Sequence, residues 1–101
     1  MECLSQKLFG IEFNNPVLAA SGTFGYGEDF SHFFDVSSLG GFVTKAVTPE
    51  PRKGNPPPRI IETPSGMLNA IGLQNDGLEV FVNEILPRIK SLDTVIIVNV
   101  A

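Results

Sequence analysis

Short apolar runs separated by turn residues define the strand pattern at the start of the chain. Leu4 to Leu8 and Ile11 to Phe13 flank Gly10, and this arrangement predicts an antiparallel hairpin. Val17 to Ala20 is a third apolar run, which predicts a strand. It stops at the glycine-rich stretch Ser21 to Gly27, where we expect a loop whose backbone can approach a ligand closely.

Two later segments carry apolar residues at helical spacing. Phe30, Phe33 and Phe34 share one helical face and predict a short helix. Asp76 is placed to cap a second helix, and Pro87 is expected to kink it. The predicted buried stripe of that helix comprises Leu78, Phe81, Val82, Ile85, Leu86, Ile89 and Leu92.

Two further strands complete the pattern and indicate the fold class. Phe42 to Val47 predicts the strand between the helices, and Thr94 to Val100 is a β-branched run of the kind that is buried on both faces in parallel sheets. Alternating strands and helices indicate an α/β protein with right-handed crossovers. Because the sequence ends on such a strand, we expect an unpaired sheet edge and an incomplete fold.

Two segments between these elements are unusual. Thr48 to Pro58 holds so many prolines that neither a helix nor a central strand is expected there. Thr63 to Asn75 is mostly small, apolar or amide residues, although a solvated loop usually carries more charge. We therefore expect this second segment to fold back over something.

Composition narrows the class of protein. The 101 residues are 43% hydrophobic and 18% charged with a net charge of -4, so the chain fits one soluble domain and lacks the basic patch of nucleic-acid binders. The longest apolar runs are too short to span a membrane. The lone Cys3 excludes an internal disulfide or a zinc site built on several thiolates, and no metal-ligand cluster is present. With no secretory signal, a cytoplasmic location is expected.

Polar residues follow each of the three main strands. Ser21, Lys45 and Asn99 stand where the apolar runs end, and ligands of α/β folds gather at the carboxyl ends of the strands. Burying an unpaired ammonium costs several kcal/mol, on the order of the penalty for isolated buried ions, so an anion is expected near Lys45. The alternatives are an edge strand from which Lys45 reaches solvent, a turn cap at Ser21 and a loop anchor at Asn99.

The loop from Ser65 to Asn75 combines amides with apolar groups and two glycines. Amides can donate to and accept from a planar, imide-bearing ring, so a substrate loop is one interpretation and an ordinary connector is the other. We interpret His32 as a structural or surface histidine. Glu28 and Asp29 are interpreted as charges at the start of a helix. The 22–27 segment lacks the spacing of a nucleotide-binding fingerprint.

Four stretches together resemble one enzyme family. Asn15 to Thr23, Val43 to Thr48, Pro51 to Arg59 and Glu62 to Asn75 are similar to class 1 dihydroorotate dehydrogenases, specifically the catalytic FMN subunit of their NAD-linked two-subunit branch. The resemblance covers nearly the whole chain. It implies a TIM (β/α)8 barrel, which typically needs about 250 residues. Residues 1–101 would supply the N-terminal hairpin and the first three β/α units of this single FMN-binding domain.

The resemblance also assigns site residues. The implied FMN contacts are Ala20, Ser21, Lys45, Ala46 and Asn99. The implied contacts to the pyrimidine substrate are Lys45, Asn69, Ala70, Ile71, Gly72 and Leu73. A positive charge such as that of Lys45 would favour the reduced flavin. No catalytic residue is expected within this chain, because the family's base is a cysteine on a later loop, beyond Ala101, and not Cys3.

By the same resemblance, the complete enzyme oxidises dihydroorotate to orotate in UMP biosynthesis. Electrons would pass from FMN to NAD through a partner subunit with FAD and a [2Fe–2S] cluster, in a heterotetramer of two catalytic and two electron-transfer subunits. No nucleic acid or membrane is implied, and this chain alone is expected to be inactive. The alternatives are a flavin barrel of the dihydropyrimidine dehydrogenase type and a non-catalytic fragment that binds another polypeptide through its open sheet edge.

Overall fold

The computed structural model describes residues 4–101, so Cys3 lies outside the described residues. The strands are β1 (Gln6–Leu8), β2 (Ile11–Phe13), β3 (Leu18–Ala19), β4 (Gly41–Val43), β5 (Ile60–Thr63), β6 (Gly66–Asn69) and β7 (Val95–Ile97). One helical segment comprises α1 (Gly77–Val80), a π-helical turn (Phe81–Ile85) and α2 (Leu86–Ile89). Short 3₁₀ turns occupy Glu28–Phe30 and Val36–Ser38.

The parallel sheet has the order β3-β4-β7 and, with the helical segment, forms what we call the sheet layer. Leu18 pairs with Gly41, and Phe42 pairs with Ile96, so the three strands of this sheet lie side by side in the order in which they occur along the chain. This arrangement confirms the α/β class. Closure into a barrel stays a prediction. The predicted hairpin at the start of the chain is confirmed by the antiparallel pairing of β1 with β2.

Two apolar clusters hold the sheet layer together. One contains Val47, Phe81, Ile85 and Ile89, and the other contains Phe24, Val36 and Phe42. Leu92 and Ile96 pack against both clusters, so the helical segment and the first loop share one continuous core on the sheet.

Burial of the last strand differs from the prediction. The clusters reach Ile96, but Ile97 and Val98 are more than a third exposed and Val100 is 75% exposed. Within residues 4–101, β7 is an edge strand that pairs only with β4. The expected burial of this strand on both faces is therefore wrong for the described part of the chain, because no described residue covers the side chains of Ile97, Val98 and Val100 fully.

The predicted helix around Phe30, Phe33 and Phe34 is also wrong, since 3₁₀ turns replace it. The Ser31 hydroxyl donates to the Glu28 carbonyl oxygen at 2.6 Å, and such local bonds compete with helical pairing. Asp35 caps the second turn by accepting from the Ser37 N–H. Instead of lining a helix, Phe30 stacks on Phe24, while Phe34 contacts Phe24 and Phe33 contacts Phe30 at tilted angles.

The helical segment begins with a different cap from the one predicted. Asp76 makes no side-chain cap bond, whereas the buried Asn75 Oδ1 accepts from the Gly77 N–H at 2.9 Å. Phe81, Ile85 and Ile89 are buried and Leu86 and Leu92 are partly buried as predicted, but Leu78 and Val82 are nearly half exposed. The buried stripe is narrower than the sequence pattern suggests.

A π-helical turn precedes Pro87. Proline has no N–H to donate to the Asn83 carbonyl, and the neighbouring Leu86 N–H donates to the Phe81 carbonyl, five residues back. The ladder of helical hydrogen bonds is thus interrupted at the place where the sequence predicts a kink.

No helix within residues 4–101 is long and apolar enough to cross a membrane.

Residues 51–74 form a second region, which we call the polar arm. It contains the proline-rich loop and the antiparallel hairpin β5–β6, in which Ile60 pairs with Asn69 and Thr63 with Gly66. The sequence predicted the loop but not this hairpin. Every residue from Ile60 to Ala70 is exposed, so the hairpin is held by its ladder and by polar contacts at its base rather than by a core.

Candidate functional site

A cavity of about 430 Å³ opens at the carboxyl ends of the three parallel strands. Ser21 follows β3, Lys45 follows β4 and Asn99 follows β7, and all three residues line the cavity. Its size lies within the usual range of small-molecule sites, roughly 300–1,000 Å³. The sequence therefore predicted correctly that these strand ends converge.

The cavity contains part of the set singled out from the sequence. The predicted residues that line it are Ser21, Lys45, Ala46, Ile71, Leu73 and Asn99. The predicted residues that do not line it are Ala20, Asn69, Ala70 and Gly72. The cavity is also lined by Gly22 and Gly25 of the glycine-rich loop, by Gln74 of the 65–75 loop and by Arg59, which the sequence did not single out. The strand ends and the loop after β6 thus meet at one cavity, while the ligand of each residue stays a prediction.

Lys45 is half buried beside the cavity. Its ammonium group makes no hydrogen bond or ion pair with any residue between Leu4 and Ala101, so none of the described residues supplies the anion expected near it. Desolvating a cation without a partner is unfavourable, and an anionic or electron-rich ligand in the cavity would relieve that penalty. The charge is therefore placed to act on a ligand.

The backbone at Lys45 leaves the regular register of the sheet. Val43 pairs with Ile97, and the next pair is Val47 with Val100. The chain therefore advances four residues on the Val43 side and only three on the Ile97 side between these two pairs. This is a β-bulge, which adds one residue and redirects the side chains beside it. Val47 and Phe42 are an odd number of residues apart, and in a regular strand such residues face opposite sides of the sheet. Because of the bulge, both side chains pack on the helix side of the sheet.

The 21–27 loop closes one side of the cavity. The Thr23 hydroxyl donates to the Ala20 carbonyl at 2.9 Å, and the Gly25 carbonyl accepts from the Lys45 N–H at 2.9 Å. Gly22 has φ of +78°, and a side chain there would meet no atom within 4 Å, so the glycine satisfies a backbone requirement and leaves the space open. The loop is thereby fixed to the bulge through the backbone of Lys45.

Arg59 connects the polar arm to the cavity. Its guanidinium donates to the carbonyl oxygens of Asn55 at 2.6 Å and Lys53 at 2.9 Å, and to the side-chain oxygen of Gln74. One planar group with several donors can satisfy all three acceptors at once. Arg59 therefore holds the proline-rich loop against Gln74, which also lines the cavity.

The backbone after β6 is shaped by its contact with Asn55. The Asn55 N–H donates to the Ile71 carbonyl at 2.9 Å, and its side-chain amide donates to the Ala70 carbonyl at 3.0 Å. Gly72 has φ of +83°, and a Cβ there would lie 2.8 Å from the Asn55 nitrogen, so no other residue fits. Leu73 has φ of +55°, which is uncommon outside glycine and is found at functional sites.

Three of the predicted residues outside the cavity have structural contacts. Asn69 is the last residue of β6 and pairs with Ile60 in the exposed hairpin. The Ala70 N–H donates to the Arg59 carbonyl at 2.8 Å, and the Ala20 carbonyl accepts from Thr23. These contacts fix the backbone next to the cavity, and the proposed roles of these residues with ligands stay predictions.

The acidic residues after the 21–27 loop have a structural contact. Arg88 donates twice to the Glu28 carboxylate, at 2.8 and 2.6 Å, and these hydrogen bonds hold the pKa of Glu28 below its ordinary value. The bond joins the first loop to α2. Asp29 and His32 are exposed, and neither lines the cavity.

A second cavity, of about 480 Å³, lies beside the β1–β2 hairpin. It is lined mainly by hydroxyl and amide side chains, with Glu12 as its charged residue. It is slightly larger than the first cavity, but it lies away from the strand ends and has no cationic lining residue. The chemistry therefore favours the cavity beside Lys45.

Comparison with known proteins identifies the family of the chain. Residues 3–101 match the family model described as dihydroorotate dehydrogenase. Over 101 residues the chain is 54% identical to the catalytic subunit of dihydroorotate dehydrogenase B (NAD(+)) from Bacteroides thetaiotaomicron, covering 100% of this chain and 33% of that protein. It is 58% identical over 97 residues to an Aquifex aeolicus protein provisionally named dihydroorotate dehydrogenase A (fumarate), covering 96% of this chain and 32% of that protein.

The structural comparison points the same way. The crystal structure of DHODH from Eimeria tenella in complex with ferulenol superposes with a TM-score of 0.74 at 26% identity, covering 99% of this chain and 29% of that one. The chain spans about a third of the length of the curated relatives it matches. The whole-chain match to the Bacteroides catalytic subunit agrees with the NAD-linked branch recognised from the sequence. Because the family model matches nearly every residue, the chain belongs to the dihydroorotate dehydrogenase family.

Proposed function

We propose that this chain is the N-terminal part of a single FMN-binding TIM-barrel domain, the catalytic subunit of an NAD-linked dihydroorotate dehydrogenase. The complete enzyme oxidises dihydroorotate to orotate in UMP biosynthesis in the cytoplasm. The single observation that carries the proposal is the cavity where Lys45, without a protein counter-ion among residues 4–101, meets the loop after β6. Membership of the family supports the reaction.

The residues around the cavity fit FMN. Lys45 provides a fixed positive charge, Ser21 and Asn99 provide a hydroxyl and an amide, and Gly22 leaves open space beside them. These groups suit the polar edge of a flavin ring, which presents donors and acceptors. We assign FMN contacts to Ala20, Ser21, Lys45, Ala46 and Asn99. When bound, FMN supplies the acceptor for the hydride that dihydroorotate loses.

The pyrimidine is assigned to the other side of the same cavity. Lys45 and the loop residues Asn69, Ala70, Ile71, Gly72 and Leu73 would hold it, with Ile71 and Leu73 lining the cavity directly. The positive φ angles of Gly72 and Leu73 turn backbone groups out of the usual strand conformation. That backbone can offer donors to a ring substituent while Lys45 attracts the substrate's negative charge.

Onward electron transfer is proposed to use a partner subunit with FAD and a [2Fe–2S] cluster, in a heterotetramer of two catalytic and two electron-transfer subunits, with NAD as the final acceptor. The name of the Bacteroides relative, a catalytic subunit linked to NAD(+), supports this. A second candidate acceptor is fumarate, because the Aquifex relative, 58% identical over 97 residues, is named for fumarate.

The test is anaerobic reduction of the flavin in the full-length protein that contains this chain. Dihydroorotate should bleach the flavin absorbance, and dihydrouracil, which lacks the carboxylate, should not. The reduced enzyme should then be reoxidised by NAD only when the partner subunit is present. If dihydrouracil bleaches the flavin and dihydroorotate does not, the enzyme is of the dihydropyrimidine dehydrogenase type. Reoxidation by fumarate without the partner subunit would contradict the NAD-linked assignment.

A further inference from the structure

Thr44 lies at the bulge between the two strands that carry Lys45 and Asn99. Its side chain is fully buried, and its N–H donates to the Ile97 carbonyl at 2.8 Å, the last regular backbone bond before the register changes. Beyond the bulge, the Val47 N–H donates to the Asn99 carbonyl at 2.9 Å. The bulge therefore interrupts backbone pairing over the residues that follow Thr44.

The Thr44 hydroxyl replaces the missing backbone contacts. Its oxygen accepts from the Asn99 N–H at 3.2 Å and its O–H donates to the Lys45 carbonyl at 3.0 Å. The Lys45 N–H points elsewhere, to the Gly25 carbonyl of the 21–27 loop at 2.9 Å. One buried hydroxyl thus bonds to the backbones of both cavity residues that follow β4 and β7.

We infer that Thr44 is a positioning residue whose hydroxyl fixes Lys45 and Asn99 relative to each other. The inference rests on the proposed function, in which both residues contact FMN. Without the hydroxyl, the Asn99 N–H loses its acceptor in a partly buried place, and a buried donor without a partner is unfavourable. The strands can then relieve the loss by shifting at the bulge, which moves the Lys45 ammonium away from the flavin.

A simple packing role for Thr44 makes a different prediction. If the residue only fills space, valine should replace it well, because the two side chains have nearly the same shape. If the hydroxyl matters, serine should replace it better than valine although serine is smaller. The two substitutions therefore separate volume from hydrogen bonding.

Thr94 offers a matched control at the other end of the same sheet. Its hydroxyl also bridges segments distant in sequence, donating to the Leu39 carbonyl at 2.8 Å, but it lies at the amino end of β7, away from the cavity. Thr94→Val removes the same kind of bond from the same sheet. It should affect stability without affecting the flavin.

The experiment uses the full-length holoenzyme and measures the midpoint potential of bound FMN, the rate of flavin reduction by dihydroorotate and the melting temperature. Thr44→Val should lower the potential and slow reduction roughly 10- to 100-fold, the scale expected for a displaced catalytic contact. Thr44→Ser should recover most of both losses. Thr94→Val should leave both at the wild-type values even if it melts earlier.

The outcomes separate this inference from the proposed function. If the wild-type enzyme is not reduced by dihydroorotate, the proposed function fails first. If it is reduced and Thr44→Val has wild-type potential and rate, only the positioning role is overturned. Should the valine variant not fold, the serine variant decides: wild-type potential and rate support the role of the hydroxyl, and a drop in both in a folded serine variant overturns it.

Discussion

The sheet layer and the polar arm meet at the same cavity but are stabilised in different ways. The sheet layer has two apolar clusters that share Leu92 and Ile96, and it provides Ser21, Lys45 and Asn99. In the polar arm every residue of the β5–β6 hairpin is exposed, and hydrogen bonds from Arg59 hold its base. The proposed flavin contacts thus come from a packed core, and most proposed substrate contacts come from a polar scaffold.

This difference predicts that damage to the two regions has different consequences. A substitution in the core should lower the stability of the whole domain and with it the binding of every ligand. A substitution in the arm should leave the core intact and change the affinity for one ligand.

The largest effect is expected for Phe42→Ala. Phe42 is fully buried, and its ring meets the Phe24 ring edge-on with centroids 5.4 Å apart. Truncating a buried phenylalanine removes its burial and leaves a cavity, so the free energy of unfolding should fall by about 3–5 kcal/mol. Denaturant unfolding of the full-length protein measures this loss. Phe33→Ala is the control, because Phe33 is 81% exposed and should change the same quantity by about 0.5 kcal/mol or less. Equal losses in the two variants would contradict the assignment of the core.

The next effect is expected for Arg59→Gln in the polar arm. Glutamine cannot bond to Lys53, Asn55 and Gln74 together, so the loop that lines the cavity should lose its fixed position. Orotate should bind roughly 5- to 150-fold more weakly, as expected for the loss of bonds worth about 1–3 kcal/mol. The FMN content should stay near that of the wild type. Titration of the flavin spectrum with orotate measures the affinity.

Arg52→Gln is the matched control for this prediction. Arg52 lies in the same loop, but its side chain makes no hydrogen bond within residues 4–101, and only its backbone pairs with Asn75. The control should bind orotate like the wild type. Loss of FMN from Arg59→Gln with unchanged orotate affinity would mean that the arm serves the flavin, and the contrast between the two regions would be wrong.

The smallest effect is expected at the Glu28–Arg88 ion pair, which joins the 21–27 loop to α2. The Arg88 hydrogen bonds lower the pKa of Glu28 from its ordinary value of 4.5. Stabilisation from a lowered carboxyl pKa is present above the unfolded value and is lost as the pH falls through the folded value. The stability advantage of the wild type over Glu28→Gln should therefore be present at about pH 5 and shrink as the pH falls below the ordinary value of 4.5.

Unfolding measured across this pH range tests the ion pair. Arg88→Gln, which removes the other partner of the pair, should show the same convergence with the wild type. Because both partners are partly exposed, the difference should also decrease at high salt. A difference that grows on acidification would contradict the assigned direction of the pKa.

The sequence predicted the parts of this fold that depend on local patterns. Apolar runs located β3, β4 and β7 and the hairpin β1–β2, and the ends of those strands correctly placed Ser21, Lys45 and Asn99 at one cavity. The β5–β6 hairpin was missed, although Ile60–Ile61 and the turn residues after Thr63 carry a weak signal for it.

Other features depend on contacts between distant segments and leave no local signal. The partners of Arg59 include Gln74, which is 15 residues away, and the bulge at Thr44 follows from the register with β7. The replacement of Asp76 by Asn75 as the helix cap depends on Thr48, whose N–H and hydroxyl also bond to the Asn75 amide group.

The prediction of a helix at Phe30 was wrong for a local reason. Side-chain hydrogen bonds and aromatic stacking competed with helical pairing there.

The midpoint potential of FMN in the full-length enzyme tests most directly whether Lys45 faces the flavin. Lys45→Ala removes a positive charge that favours the reduced form, so the potential should fall by about 30 mV or more, equivalent to a tenfold change in a two-electron equilibrium. Reduction by dihydroorotate should slow in parallel. Lys53→Ala, which removes the same charge from an exposed residue of the polar arm outside the cavity, should leave the potential unchanged. An unchanged potential and rate in Lys45→Ala would contradict the assignment of this cavity to the flavin.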